Sequence, residues 1–414
     1  SERGRARAFA ELLGHRLALQ GQTPPPASLA PPPIDQIRQI AQAQNATLVE
    51  YAIVGDSLYI WVVQPDGTLH FKEVAIPEQE IAAAVGTTRT ALGVPVRGLG
   101  VESIDNGGQS RAIALADESL RQLHRLLIEP IAAFLPPDPT ATVVIIPQGE
   151  LFLVPFPALL DAQNIALVDH HPLLFAPAIS LLTPTPPTAD VLTVRPEEAL
   201  IVGNPVMPPD PDTGVPLPPL YGSEIEALEI ATLLETEPLI GASATKATVV
   251  ATMPKAKIIH LATHGLLDDF GTGVPGILAL TPTTDDGGFL TATEILALPL
   301  QAQLAVLSAC NTGQGKITGD GVVGLSRSLL TAGVDNVMVT LWAIPDVTTA
   351  ELMAAFYTEL AQTPNRAIAL QKAMLTTRAT YDDPLNWAAF SLYGRSANNS
   401  GGALSVTPRE LASQ

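Results

Sequence analysis

From residue 199 onward the chain alternates short, continuously apolar runs with amphipathic stretches, and this alternation limits the folds open to it. The runs at 199–203, 257–262, 304–309 and 336–342 lack the polar alternation of a strand with one wet face. Strands of this kind are buried on both sides, as in parallel sheets covered by helices. Helical periodicity falls between or after them, near 223–235, 321–333, 347–361 and 365–379. The prediction is an α/β fold with a mostly parallel central sheet flanked by helices.

The upstream half reads differently. "TLVEYAIV", "SLYIWVVQ" and "LHFKEVAI" are β-rich and are joined by Gly-Asp and Pro-Asp-Gly turns, which predicts three consecutive strands from 48 to 75. Helices follow near 77–93 and 112–128, and "TVVIIPQGELFLVPFPALL" predicts a buried strand, a turn, a short strand and a helix. Residues 1–20 are expected to form a helix with Phe9, Leu12, Leu13, Leu17 and Leu19 on one face. Nothing nearby would cover that face, and the chain opens on Ser, so a fragment of something longer is expected. "QTPPPASLAPPP" makes a stiff linker, and further proline clusters stand at 184–187 and 205–219. They divide the chain into a helix and linker (1–30), an N-terminal lobe (31–185), a second α/β lobe (186–398) and a flexible tail (399–414). No repeat of fixed period is visible.

Charge and cysteine usage narrow the function classes. Forty-one acids against 22 bases give a net charge of −19, which repels nucleic acid and anionic lipid. No apolar run reaches the roughly 18–20 residues of a membrane helix. One cysteine allows no internal disulfide, so a reducing cytoplasm is the expected compartment. His170 and His171 lack partners at metal-ligand spacing, and neither a metal nor a cofactor is expected. "GTGVPG" at 271–276 fits a dinucleotide fingerprint but precedes a strand where a helix is needed, and "GQGKIT" lacks phosphate-loop spacing.

In open α/β sheets, functional groups gather at the carboxyl ends of the strands. One apolar run ends at Thr263 and is followed by His264 and Gly265; another ends at Ala309 and is followed by Cys310. If these strands are neighbours, imidazole and thiol emerge at one sheet edge, as a thiol nucleophile and its base require. The N–H groups of Gly265 and Cys310 then suit an oxyanion hole. The competing reading makes Cys310 a small buried hydrophobe. His260, inside the same run as His264, reads as a core histidine satisfied by backbone.

Four ordered blocks carry a family resemblance: "IIHLATHG", "LAVLSACNTGQG", "GDGVVGLSRSLLTAGVDNVMVTLWAIPD" and "DPLNWAAFSLYG". Together with "VIIPQGELFLVPFPALL" they resemble the CHAT domain, the caspase-like domain associated with tetratricopeptide repeats and related to caspases, metacaspases and separase. The likeness runs from about 115 to 395, more weakly back to 31, and the opening helix resembles the one that ends the repeats. The His-to-Cys separation is similar to the ~50 residues of caspases.

The resemblance implies a caspase-like sandwich preceded by a β-rich, pseudo-protease-like lobe. It implies a bacterial-type cysteine endopeptidase acting on protein substrates and working with upstream repeats or a regulatory partner. Cys310 matches the nucleophile, His264 the base and Gly265 the oxyanion donor. Asp346 and Asp320 match the acids of an S1 pocket, which would select Arg or Lys before the scissile bond. Asp346 equally suits a helix cap. Asp268 and Asp269 read as solvated loop acids or pocket shapers. Only Lys316 and Arg327 stand near enough to favour an acidic residue at that position. The glycine-rich "NTGQGKITGDG" suggests a gating loop, with Lys316 a self-cleavage site. The alternatives are a catalytically silent scaffold that binds protein partners, and another thiol hydrolase or acyltransferase using the same dyad.

Overall fold

The computed structural model describes residues 32–94, 106–182, 192–211, 213–266, 271, 274–308, 316–318, 321–396 and 404–406. Cys310, Asp320, Asp268, Asp269 and the helix expected over 1–20 lie outside the described residues.

The predicted apolar runs form strands close to their expected bounds. In chain order the main sheet contains β1 (Thr47–Val54), β2 (Ser57–Val63), β3 (Leu69–Ala75), β4 (Val143–Ile146), β5 (Leu173–Phe175), β6 (Ala199–Pro205), β7 (Leu239–Gly241), β8 (Ile258–Ala262), β9 (Leu304–Leu307), β10 (Asn336–Thr340) and β11 (Phe390–Gly394). Their spatial order is β3-β2-β1-β4-β5-β11-β10-β9-β8-β6-β7, a single sheet of 11 strands. The β1–β3 meander is antiparallel and β11 runs antiparallel to β10; the other pairings are parallel. Every residue of β8, β9, β10 and β11 is buried, as continuous apolar strands require.

The helices are α1 (Ile34–Gln44), α2 (Glu78–Ala91), α3 (Asn106–Leu127), α4 (Tyr221–Leu233), α5 (Leu325–Ala332), α6 (Asp346–Leu360) and α7 (Arg366–Thr380), with shorter helical turns between them. α6 buries Thr348, Leu352, Phe356 and Leu360 at four-residue spacing, with Met353 and Tyr357 beside them. It packs between α4 and α7. Among the described residues, no helix is long and apolar enough to cross a membrane.

Three predicted elements differ. The short strand and helix expected after β4 are 3-10 turns at Gly149–Leu153 and Phe156–Ala158. Pro155 and Pro157 remove two backbone donors there, so neither a ladder nor a full helix can continue. The helix expected from 321 begins only at Leu325; Gly321–Val323 instead pairs as a strand with Lys316–Thr318. Glycines at 321 and 324 make helix initiation costly.

The upstream and downstream halves share the sheet and one hydrophobic core. Arg89 of α2 ties them again: it donates to the carbonyls of Leu153 (3.3 Å) and Leu341 (3.1 Å) and sits 5.8 Å from the Trp342 ring centre. Burial pulls its pKa down to about 10, which still leaves it charged at neutral pH.

His171, between the short helix Leu167–His170 and β5, is buried. Burial, reinforced by the neighbouring His170, lowers its pKa from 6.5 to about 4. The unfolded chain takes up this proton near pH 6.5 and the folded chain only near 4. Stability therefore falls as pH drops through that window. Urea unfolding should show the wild type losing about 1–2 kcal/mol more than His171→Phe between pH 7 and pH 5. Equal losses would assign the acid sensitivity elsewhere.

Candidate active site

The two strands that end in histidine and cysteine are neighbours. β8 and β9 pair in parallel, Leu304 opposite Ile258 and Leu307 opposite Leu261, an offset of 46 residues. His264 and Cys310 also stand 46 residues apart in the sequence. The described part of the β9 side ends at Ser308.

His264 leaves β8 half-buried, and its Nε2 lies 2.8 Å from the carbonyl oxygen of Pro218. A carbonyl only accepts, so Nε2 carries the ring proton and Nδ1 keeps the basic lone pair. The backbone on either side is fixed. The Thr263 hydroxyl donates to the Ala279 carbonyl, and the Ala279 N–H donates to the His264 carbonyl.

Gly265 and Leu266 form a short strand antiparallel to Ile277–Ala279, with Gly265 opposite Leu278. Because Ala279 N–H bonds to the His264 carbonyl, Gly265 and Leu278 are a non-hydrogen-bonded pair. The Gly265 N–H therefore points away from that neighbour.

Pro218 is held by a clamp that carries no sequence signature. Asn204, near the end of β6, takes a left-handed conformation with φ 42°. Its Oδ1 accepts from the Leu220 N–H at 2.8 Å, its Nδ2 donates to Glu224 at 2.9 Å, and its own N–H donates to the Ser223 hydroxyl at 3.0 Å. The start of α4 is thereby fixed against the sheet, three residues after Pro218. Gly203 allows the approach: a Cβ there would lie 2.5 Å from both the Ala227 Cβ and the Ser223 carbonyl oxygen.

Asp346 is the first residue of α6, and the cap position belongs to Pro345, without a side-chain bond. The Asp346 carboxylate turns instead to α4 and accepts the Gly222 N–H at 3.2 Å. It sits at the rim of a cavity of about 40 Å3 at the carboxyl ends of β8, β9 and β10. Leu220, Glu226, Thr263, Ser308, Thr340 and Trp342 line it too.

His260 corrects an expectation. Its partners are side chains rather than backbone: Nε2 lies 3.0 Å from Glu226 Oε1 and Nδ1 lies 3.2 Å from the Tyr357 hydroxyl. A buried imidazole in mid-strand has neighbours whose amides are spent on the ladders, so only helix side chains from α4 and α6 can reach it. Lys316 opens the hairpin with Gly321–Val323 in place of a continuous loop.

A family model described as the CHAT domain matches residues 117–395. Tetratricopeptide repeat protein 28 of Mus musculus is 27% identical over 95% of this chain and 21% of its own length. The protein of the same name in Homo sapiens is 26% identical over the same shares. The chain thus spans 21% of the length of these relatives. Two crystal structures of the Saccharomyces cerevisiae separase–securin complex are similar at TM-scores of 0.50 and 0.51 and 11% identity. They cover 90% and 87% of this chain and 31% of that one. At this identity the likeness is one of fold, the caspase-like α/β sandwich.

Gly222 has no room for a side chain, since a Cβ would fall 2.0 Å from the Asp346 Cβ. Gly222→Ala should force α4 and α6 apart and cost about 1–3 kcal/mol in urea unfolding. An unchanged midpoint would mean that the two helix starts are not in contact in solution.

Proposed function

Since this chain belongs to the CHAT domain family, we propose that it is a cysteine endopeptidase cutting protein substrates after a basic residue, with Cys310 and His264 as its dyad. The observation that carries the proposal is the parallel β8–β9 register, whose offset equals the separation of the two residues, together with the His264 tie to the Pro218 carbonyl.

With Nε2 occupied, Nδ1 is the atom that takes the thiol proton. The thiolate attacks the scissile carbonyl, and the oxyanion is met by the Gly265 N–H and that of Cys310. Collapse breaks the C–N bond, and the amine leaves with the proton from His264. Water then attacks the thioester; His264 takes its proton and returns it to the sulfur as the acid departs.

The S1 reading rests on Asp346, a carboxylate at the rim of a cavity at the strand ends. A cationic side chain there gains charge-assisted hydrogen bonds. Asp320 stays a proposed second acid, and Lys316 a proposed self-cleavage site. Upstream repeats are proposed to recruit substrate or hold the site latent, since the curated relatives are repeat proteins far longer than this chain. The same relatives lend weight to a second reading, a silent scaffold that binds proteins.

A fluorogenic peptide panel varying the residue before the cut separates the readings. Cleavage after Arg or Lys is expected, falling ~10²–10⁴-fold in His264→Ala and further in Cys310→Ala. The intact mass of wild-type preparations should reveal a cut after Lys316 that Cys310→Ala lacks. No cleavage together with no His264-dependent alkylation of Cys310 would put the scaffold reading first.

A further inference from the structure

The cavity beside Asp346 holds a second carboxylate. Glu226, in the second turn of α4, is only 2% exposed, yet it lines the cavity with Asp346, Ser308 and Trp342. Burial and the Glu226 charge both raise the Tyr357 pKa, so the phenol keeps its proton and donates it to His260 Nδ1. His260 Nε2 then carries the ring proton and donates to Glu226 Oε1. The relay fixes the carboxylate through one oxygen. Among the described residues, no hydrogen bond reaches the other.

Ser308 makes the same point from the β9 side. It is 8% exposed, lines the cavity, and its buried hydroxyl has no partner among the described residues. Buried polar atoms are ordinarily satisfied by protein or water, so an unmet one lining a cavity is open to water or to a ligand that displaces it. The open polar positions are thus carboxylate oxygens and a hydroxyl, set beside an indole. The carboxylates only accept, and the hydroxyl can accept as well as donate. The complement of such a lining is a flat cation with several N–H groups. A cavity of about 40 Å3 holds about three waters, which the three nitrogens of one guanidinium can replace.

We propose that Glu226 is a specificity-determining acid of this pocket and that the pocket selects arginine over lysine. The guanidinium bridges Asp346 at the rim and Glu226 at the floor, and the His260–Tyr357 relay keeps Glu226 in place. The planar fork reaches two carboxylates on two helices at once, whereas an ammonium is a point charge that meets one. The proposal rests on the peptidase reading only in that the arginine side chain arrives as part of a peptide.

Binding tests it apart from turnover. In a Cys310→Ala chain, calorimetry should find Nα-acetyl-arginine amide bound more tightly than Nα-acetyl-lysine amide. Glu226→Gln keeps the size and the acceptor for His260 but loses the charge. It should weaken the arginine amide about tenfold or more and the lysine amide by less than about threefold. Asp346→Asn should weaken both. Near-UV circular dichroism checks the fold of each variant. If Glu226→Gln fails to fold, Tyr357→Phe replaces it and should narrow the arginine-to-lysine ratio by releasing the relay. Failure of the parent to bind either amide, equal binding of the two, or unaltered binding in Glu226→Gln overturns the proposal, even if peptides are cut. Glu226-dependent arginine binding, alongside a wild-type chain that neither cuts peptides nor shows His264-dependent alkylation of Cys310, upholds the pocket and removes the peptidase reading.

Discussion

The contact of α4 with β6 at Gly203 is the constraint on which the site depends. Strand and helix meet with no space for a methyl group between them. That closeness brings one end of α4 within reach of Asn204 and the next turn within reach of His260. One helix thereby delivers three groups to the strand ends: the Pro218 carbonyl just before it, the Gly222 N–H in its first turn and Glu226 in its second. A helix set farther off by the width of a side chain would deliver none of them in register.

The relay beneath the cavity shows how the fold accommodates charge in its core. A buried carboxylate is costly unless its hydrogen bonds are met, and a buried imidazole needs partners on both nitrogens. Glu226, His260 and Tyr357 come from α4, β8 and α6, so the chain of bonds also fixes the spacing of two helices over the sheet. Trp342 is held similarly from behind, with its Nε1 donating to the Leu385 carbonyl at 2.9 Å and Arg89 near its ring. The walls of the pocket are therefore set by groups far apart in sequence.

Much of this was legible in the residues, and the reasons for the rest are physical. Continuous apolar runs located β6, β8, β9 and β10, because burial on both faces leaves no polar alternation. The same runs placed His264 at a strand exit. The Pro218 carbonyl could not be read, since a backbone oxygen has no side-chain signature. Glu226 left a faint signal: it shares a helical face with Ser223, Ala227 and Ile230, all buried. The signal was masked because α4 is inverted, with Tyr221, Ile225, Leu228 and Leu233 on its exposed side. β11 was missed because Phe390–Gly394 is a five-residue run with a serine and a glycine in it, too short for its periodicity to tell strand from helix or loop.

β11 also dictates when the protein can be finished. It stands between β5 and β10, yet it comes from residues 390–394, the last of the described main-sheet strands to be synthesised. Until it leaves the ribosome, two half-sheets wait with facing unpaired edges, each a template for the wrong partner. The long closure makes assembly slow relative to a locally wired helical bundle. Maturation of the site is consequently an all-at-the-end event: a truncated nascent chain has the residues of the pocket but not the middle of the sheet that aligns them.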